Sequence, residues 1–288
     1  MVHSILIIRL SAIGDIVMAS GVIPALRDAY PQARIDWLVQ TECQELLLKT
    51  SNLNRVLAWP RTEWKRHLRT MRWGTLLREV IDLLNSLRQA HYDLVLDMQG
   101  LLKSGIWSWV TMADQRIGLQ SREWSDKLMT SVVNAPQGDK RISSEYKALL
   151  RELKIHSDEY RLGLEVDHDD DQSARNLIMG LPVIQGQQTW IVISPFTTRP
   201  QKHWPESNWI DFCSKITSEI HVPVVLLGGP HDRDAGNRFV SDCPNMMKNL
   251  AGQTTLRQGL ALIQGASLVV GVDTGLTHMG VLSNVPTV

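Results

Sequence analysis

The stretch Ile5-Leu6-Ile7-Ile8-Arg9-Leu10-Ser11-Ala12-Ile13-Gly14-Asp15 decides how the rest of the chain is read. Its apolar run suits a strand over residues 4–9 that is buried on both faces. The segment from Ile16 to Ala29 carries Ile16, Val17, Ile23 and Leu26 on one side and stops before Pro31, as a helix would. A buried strand, a glycine-bearing turn and a helix form the unit with which open parallel sheets present groups to a ligand. This turn holds a hydroxyl, a glycine and a carboxylate, not the three spaced glycines of a dinucleotide fingerprint. It is a turn that offers Asp15 to a substrate.

The same rhythm continues through the first half. Ile35–Val39 and Arg55–Trp59 read as strands with a short helix near Cys43–Lys49 between them, so a parallel sheet is expected. Tyr92–Asp97 is a further strand whose carboxyl end runs into Gln99, Gly100 and Lys103; Gln99 and Lys103 are candidate ligand contacts there. Arg116–Gly118 reads as another short strand, and 121–139 as a helix and a loop over the crevice.

Residues 61–78 break the pattern. Arg61, Lys65, Arg66, Arg69, Arg72 and Arg78 alternate with Trp64, His67, Leu68 and Trp73, against the single acid Glu63. A solvated helix is one reading. A basic lip with exposed indoles for an anionic, partly apolar partner such as a phosphorylated lipid head is the second. Nucleic acid is a weaker third, because nothing else in the chain is basic enough to track a backbone.

A domain boundary belongs near 155–175, in an acid-rich stretch with an Asp run at 169–171, where Leu162–Val166 reads as a strand and a linker then leads into a helix from about Asp171 to Met179. Trp190–Ser194 then restarts the α/β pattern. Beyond it Thr197, Thr198 and Lys202 precede a helix at Glu206, a composition that suits phosphate oxygens. Val222–Leu227 leads to Asp232, placed as a carboxylate that holds a ribose diol would be. A turn at 251–256 opens a helix over 256–264, and Leu268–Val272 delivers Asp273, Thr274, Gly275, Leu276 and His278, a glycine-bearing helix start able to cradle a diphosphate. Asp273 and His278 lack a third ligand at metal spacing, so no metal is expected. Pro286–Val288 resembles the opening of another strand, and the second domain is expected to be incomplete at its C-terminal end.

The 30 basic residues equal the 30 acidic ones, which gives no overall pull toward a polyanion. Cys43, Cys213 and Cys243 are too few and too scattered for a disulfide framework or a zinc cluster. No apolar run reaches the roughly 18–20 residues of a membrane span, and Arg9 and Asp15 interrupt any signal peptide, so a cytoplasmic protein is expected.

Ser11–Asp15, Asp97–Ser104, Thr197–Arg199 with Lys202–Pro205, and Asp273–His278 together closely resemble the motifs of the bacterial lipopolysaccharide heptosyltransferases, glycosyltransferase family 9. The resemblance covers essentially the whole chain. Trp64-Lys65-Arg66 and the Gln99–Ser104 motif look most like the heptosyltransferase I branch. The resemblance implies a GT-B fold, two Rossmann-like domains whose parallel sheets face each other across a cleft. Residues 1–165 would bind the acceptor and 166–288 the nucleotide sugar.

It further implies an inverting transfer of L-glycero-D-manno-heptose from ADP-heptose to the inner Kdo of Kdo-lipid A, with Asp15 as general base and no cofactor or metal. Thr197, Thr198, Lys202, Asp232, Asp273, Thr274, Gly275, Leu276 and His278 would hold the donor. Ser11, Gly14, Arg61, Lys65, Arg66, Arg69, Gln99 and Lys103 would hold the acceptor. Asp232 stands where close relatives have Glu, and Thr254 where they pack a methionine on adenine. The implied setting is a monomer at the cytoplasmic face of the inner membrane, without nucleic acid. Two rivals are a family 9 enzyme with another acceptor, such as heptosyltransferase II, and a nucleotide-binding or membrane-docking module without catalysis.

Overall fold

A computed structural model describes residues 2–288 except 122, 135, 137, 139, 140, 157–159 and 242–244, so Cys243 and Asp139 lie outside the described residues. The chain divides into two compact units, Met1–Glu165 and Val166–Val288.

The first unit is built on β1 (Ser4–Ile8), every residue of which is buried, as a strand covered on both faces requires. The turn after it opens α1 (Ile13–Ser20) and α2 (Val22–Ala29). These replace the single helix expected over Ile16–Ala29. Pro24 has no N–H to return to the Ser20 carbonyl, and Gly21 leaves room for the Tyr160 ring where a Cβ would sit 2.5 Å away. β2 (Arg34–Gln40), the short α3 (Thr41–Gln44) and β3 (Arg55–Trp59) follow. The basic stretch forms α4 (Arg61–Arg69), which ends at the left-handed Met71 (φ 53°), and then α5 (Trp73–Gln89).

β4 (Leu94–Asp97), α6 (Leu102–Val110), β5 (Gln115–Leu119), β6 (Ser131–Val133) and α7 (Ile142–Glu152) complete the unit. β6 was not expected. Where a helix was read within 121–139, the chain makes one 3₁₀ turn at Ser125–Leu128 and then this three-residue edge strand, too short for alternation to show. The sheet is parallel in the order β3-β2-β1-β4-β5-β6. Strand order therefore reverses between β1 and β4.

Leu162–Val166 is not a strand. Gly163 N–H donates to Ser20 Oγ (3.2 Å), and Glu165 accepts from Ser51 Oγ (2.7 Å), so this segment is tied to the first unit outside its sheet. The helix expected from about Asp171 begins three residues earlier: α8 (His168–Leu177) has Asp167 as its N-cap and Asp169, Asp170 and Asp171 in its first turn. Carboxylates there oppose the positive end of the helix dipole.

The second unit contains β7 (Ile191–Ser194), α9 (Glu206–Lys215), β8 (Val224–Leu226), α10 (Arg233–Val240), β9 (Met247–Asn249), α11 (Leu256–Gln264), β10 (Leu268–Gly271) and α12 (Gly275–Leu282). Its parallel sheet has the order β10-β7-β8-β9, so the reversal falls between β7 and β10. Val269 pairs in parallel with Thr287 beyond β10, where Pro286–Val288 resembled a strand opening. Both units thus have the doubly wound plan in which ligands bind at the carboxyl ends of strands flanking the reversal. Among the described residues no helix is long and apolar enough to cross a membrane.

Candidate active site

In the first unit the reversal point is flanked by the loops after β1 and β4, and these carry Ser11, Gly14 and Asp15 on one side and Gln99 and Lys103 on the other. Asp15 is the third residue of α1. Its Oδ2 accepts the Ala12 N–H at 3.2 Å and pairs with Arg9 Nη2 at 2.6 Å. Oδ1 has no partner among the described residues, and the side chain is 41% exposed. One carboxylate oxygen is held and the other is open.

Arg9 joins the two loops. Its Nη1 donates to the Met98 carbonyl at 2.5 Å, and its own carbonyl accepts the indole N–H of the buried Trp37 at 3.1 Å. Gln99 Oε1 accepts the Leu10 N–H at 2.9 Å, so Gln99 braces the β1 loop. Beneath them Asp97 is buried at the end of β4, accepting from the Gln99 N–H (3.0 Å), the Gly100 N–H (3.3 Å) and Ser104 Oγ (3.0 Å). Burial pushes its carboxyl up to about 6, against the pull of these hydrogen bonds and of Arg9. Gly100 has φ +65°, and a Cβ there would lie 3.2 Å from the carbonyls of Leu119 and Gln120, so the loop requires glycine.

Arg61, Lys65, Arg66 and Arg69 lie on α4, all exposed but the half-buried Arg61. Partial burial, then the Arg61 charge, lower the Lys103 ammonium below its usual range; Glu123 opposes this, and Arg9 and Lys65 add to it. Cations from the β1 loop, α4 and α6 therefore converge at one edge. The expected lip of exposed indoles is corrected in part. Trp59, Trp64 and Trp107 pack on one another at centroid distances of 5.9–6.3 Å, and Trp59 and Trp107 are buried. They are core under α4, whose apolar side must be covered, while Trp73 is 59% exposed.

In the second unit the reversal point lies between the loops after β7 and β10. Thr197 and the exposed Thr198 follow β7, and Lys202 lies on a 3₁₀ turn, Pro200–Lys202. Lys202 Nζ donates to Asp273 Oδ2, and His278 Nε2 lies 3.1 Å from Asp273 Oδ1. The Lys202 hydrogen bond, with His278 contributing, holds the Asp273 carboxyl below the usual carboxylate range. Thr274 stands at the N-cap position of α12, and its hydroxyl bonds Ser194 Oγ at 2.9 Å and Thr277 Oγ1 at 3.3 Å, which ties the β7 and β10 loops together. A Cβ on Gly271 would sit 2.5 Å from Thr277 Oγ1, so that glycine permits the close approach.

The first N–H groups of α12, at Gly275 and Leu276, have no intrahelical acceptor and are available to an anion. Asp232 lies beyond β8, where its Oδ2 accepts the Gly229 N–H at 2.8 Å. No three His, Cys, Asp or Glu side chains among the described residues converge as metal ligands would.

Arg9, Asp97, Ser194 and Thr277 are site residues that the sequence reading passed over. For Arg9 and Asp97 a signal existed, a charged residue at or beside the last position of an otherwise apolar strand.

The profile of glycosyltransferase family 9 (heptosyltransferase) matches residues 80–288. The lipopolysaccharide core heptosyltransferase OpsX of Haemophilus influenzae is 24% identical over 99% of this chain and 78% of its own length. In Escherichia coli K12, lipopolysaccharide heptosyltransferase 1 is 23% identical (96% of this chain, 83% of its own). Heptosyltransferase 2 of the same strain is 25% identical (99% and 81%). The structure of E. coli heptosyltransferase WaaC with ADP-2-deoxy-2-fluoro heptose superposes with a TM-score of 0.78 at 21% identity, over 99% of this chain and 87% of that one. The E. coli ADP-heptose LPS heptosyltransferase II structure gives 0.75 at 23% identity, over 99% and 83%. These likenesses establish the fold as GT-B.

Proposed function

Because the chain belongs to glycosyltransferase family 9, the heptosyltransferases, we propose that it transfers heptose from ADP-heptose in assembly of the lipopolysaccharide core, and that its own step adds the first heptose to the inner Kdo of Kdo-lipid A. The observation that carries this reading is the pair of reversal-point sites. One offers a carboxylate with a free oxygen, and the other offers hydroxyls, a lysine and a helix N-terminus suited to a diphosphate. Trp64-Lys65-Arg66 and the Gln99–Ser104 motif support the first-heptose step.

In this mechanism the acceptor hydroxyl oxygen attacks the anomeric carbon as its bond to the diphosphate oxygen breaks, and the electron pair leaves with ADP. Asp15 Oδ1 takes the hydroxyl proton. A carboxylate is a weak base toward a resting alcohol, but the proton moves as the new C–O bond forms and the hydroxyl turns acidic. Arg9 and the Ala12 N–H occupy Oδ2, which leaves Oδ1 to receive the proton. A lysine ammonium has three donors. Lys202 gives one to Asp273 and keeps two for the departing diphosphate, beside Thr197, Thr198 and the N–H groups of Gly275 and Leu276. Asp273 thereby sets the position of both Lys202 and His278, and Asp232 is the candidate for the ribose. Lys65, Arg66, Arg61 and Arg69, with Lys103, would meet the acceptor's phosphates and sugar carboxylates. A lipid-anchored acceptor would put this work at the cytoplasmic face of the inner membrane.

A second reading keeps the chemistry and changes the acceptor, because identities of 23–25% to heptosyltransferases 1 and 2 and to OpsX do not separate them. Incubation with ADP-heptose and either Kdo-lipid A or the same acceptor already bearing one heptose, read by mass spectrometry, tests both. A heptose added to the first acceptor alone is the expected result. Addition to the second alone moves the chain to another step. Donor binding without either product replaces the transferase reading with a nucleotide-sugar-binding module.

A further inference from the structure

The outer layer of the first unit carries an apolar surface that the transfer chemistry does not use. The crossovers β3 to β4 and β4 to β5 run in one direction along the sheet, and right-handed connections put α5 and α6 on the same side of it. Leu87 of α5 and Trp107 of α6 accordingly share one core cluster. Their opposite sides are exposed and apolar. On α5, Trp73, Leu77 and Ile81 recur every four residues, and Leu77 is 61% exposed. On α6, Leu102, Ile106 and Trp109 follow helical spacing, and Trp109 is 55% exposed.

The stripe is extended at its ends. Met71 and Met112, each 74% exposed, stand just before α5 and just after α6. Beside α6 stands the exposed Trp124, with Lys127 Nζ 4.0 Å above its ring; the 3₁₀ turn that follows packs on α6, where a Cβ on Gly105 would meet Ser125 at 2.7 Å. Scattered single apolar residues on a surface need no explanation, but adjacent stripes on two neighbouring helices do.

The border of this surface is cationic. Lys65, Arg66, Arg69, Arg72 and Arg78 are all exposed from α4 to the start of α5, with Lys127 beside α6, against the exposed acids Glu63 and Asp82 and, next to Trp124, Glu123 and Asp126. An apolar strip with indoles, rimmed by guanidinium and ammonium groups, matches the boundary layer of an anionic bilayer. Indoles settle there at headgroup depth and each basic residue meets a lipid phosphate. A second copy of this chain would bring the same cations against themselves, which disfavours self-association through this face.

We infer that the outer face of α5 and α6, with the basic rim of α4, docks this protein onto an anionic lipid bilayer. α6 begins at the carboxyl edge of the sheet, next to the Asp97–Gly100 loop, and α4 follows the carboxyl end of β3. The docked face is therefore continuous with the edge that holds Asp15. Docking draws on the face alone and requires no acceptor, so it can fail or hold independently of the transferase reading.

Sedimentation of the full chain with acceptor-free vesicles tests it. Vesicles of phosphatidylglycerol and phosphatidylethanolamine should bind the protein, phosphatidylcholine vesicles should bind it at least about tenfold more weakly, and added salt should release it. The triple variant Leu77→Glu, Ile106→Glu, Trp109→Glu and the charge variant Arg72→Glu, Arg78→Glu, Lys127→Glu should each lose at least about tenfold in partitioning. All six positions are exposed, so both variants should keep the wild-type unfolding midpoint and wild-type transfer to a deacylated, water-soluble acceptor. Failure of the wild type to bind anionic vesicles, or wild-type binding by both variants, would overturn the inference. So would a concentration-dependent dimer in sedimentation velocity that the triple variant dissociates. Vesicle binding without heptose transfer would leave docking standing and remove the transferase reading.

Discussion

Asp15 and Asp273 stand at equivalent places in two similar units. Each follows a strand that flanks a reversal point, lies at or near the start of a helix and pairs with a cation. Their exposures, 41% and 56%, do not distinguish them. Their second oxygens do. Asp273 gives one oxygen to Lys202 and the other to His278, whereas Asp15 concentrates Arg9 and the Ala12 N–H on Oδ2 and leaves Oδ1 open. A carboxylate with both oxygens engaged by side-chain partners is a clamp. One with a free oxygen can accept a proton. The same residue on the same scaffold is thus proposed for two roles, separated by one hydrogen-bond partner.

Replacing Lys202 by Met should do the most damage on the Asp273 side, lowering kcat/KM for ADP-heptose by about 10²–10³-fold, because it removes the charge proposed to meet the leaving diphosphate. A fall below about fivefold in steady-state kinetics would mean that the clamp has no cation worth holding. On the Asp15 side, Arg9→Met should lower kcat by about tenfold or more with little change in either KM, and Arg9→Lys should recover part of it. In an Asp15→Asn background the Arg9 change should add little, since the two residues act as a unit. Additive losses would make Arg9 a fold residue only.

The smallest effect concerns Asp97, the brace beneath the Asp15 loop. Its carboxyl is raised by burial from 3.8 to about 6, so the folded protein holds a proton there that the unfolded chain releases. Stability from this group is therefore present at low pH and falls as pH rises from about 4 to about 6, by about 3 kcal/mol at most. Asp97→Asn should flatten that part of the curve of unfolding midpoint against pH. An unchanged slope would remove Asp97 from the account.

Much of the plan was legible in the sequence because it is written in apolar runs. Ile5–Ile8, Arg55–Trp59, Trp190–Ser194 and Leu268–Val272 each locate a strand, and in a parallel sheet the polar residues just beyond a strand end face the ligand edge. What escaped depends on contacts distant in sequence or on segments too short to carry a period. The break in the first helix needs Pro24 and the ring of Tyr160. The burial of Trp59 needs Trp64 and Trp107, and β6 has three residues. Arg9 looked like an interruption of an apolar run because its partners meet it only in the fold, Asp15 once the turn after β1 forms and Met98 once β1 and β4 pair. The apolar outer stripe of α6 was hidden for a related reason: Trp107 faces in and Trp109 faces out, and only packing tells them apart.

The most direct test of the central claim is heptose transfer by Asp15→Asn and Asp273→Asn measured side by side under saturating ADP-heptose and acceptor. The free-oxygen account predicts that Asp15→Asn loses about 10²–10⁴-fold in kcat, the range of a general base, while Asp273→Asn stays within about tenfold of wild type. Near-normal turnover by Asp15→Asn, or the reverse order of losses, would contradict it.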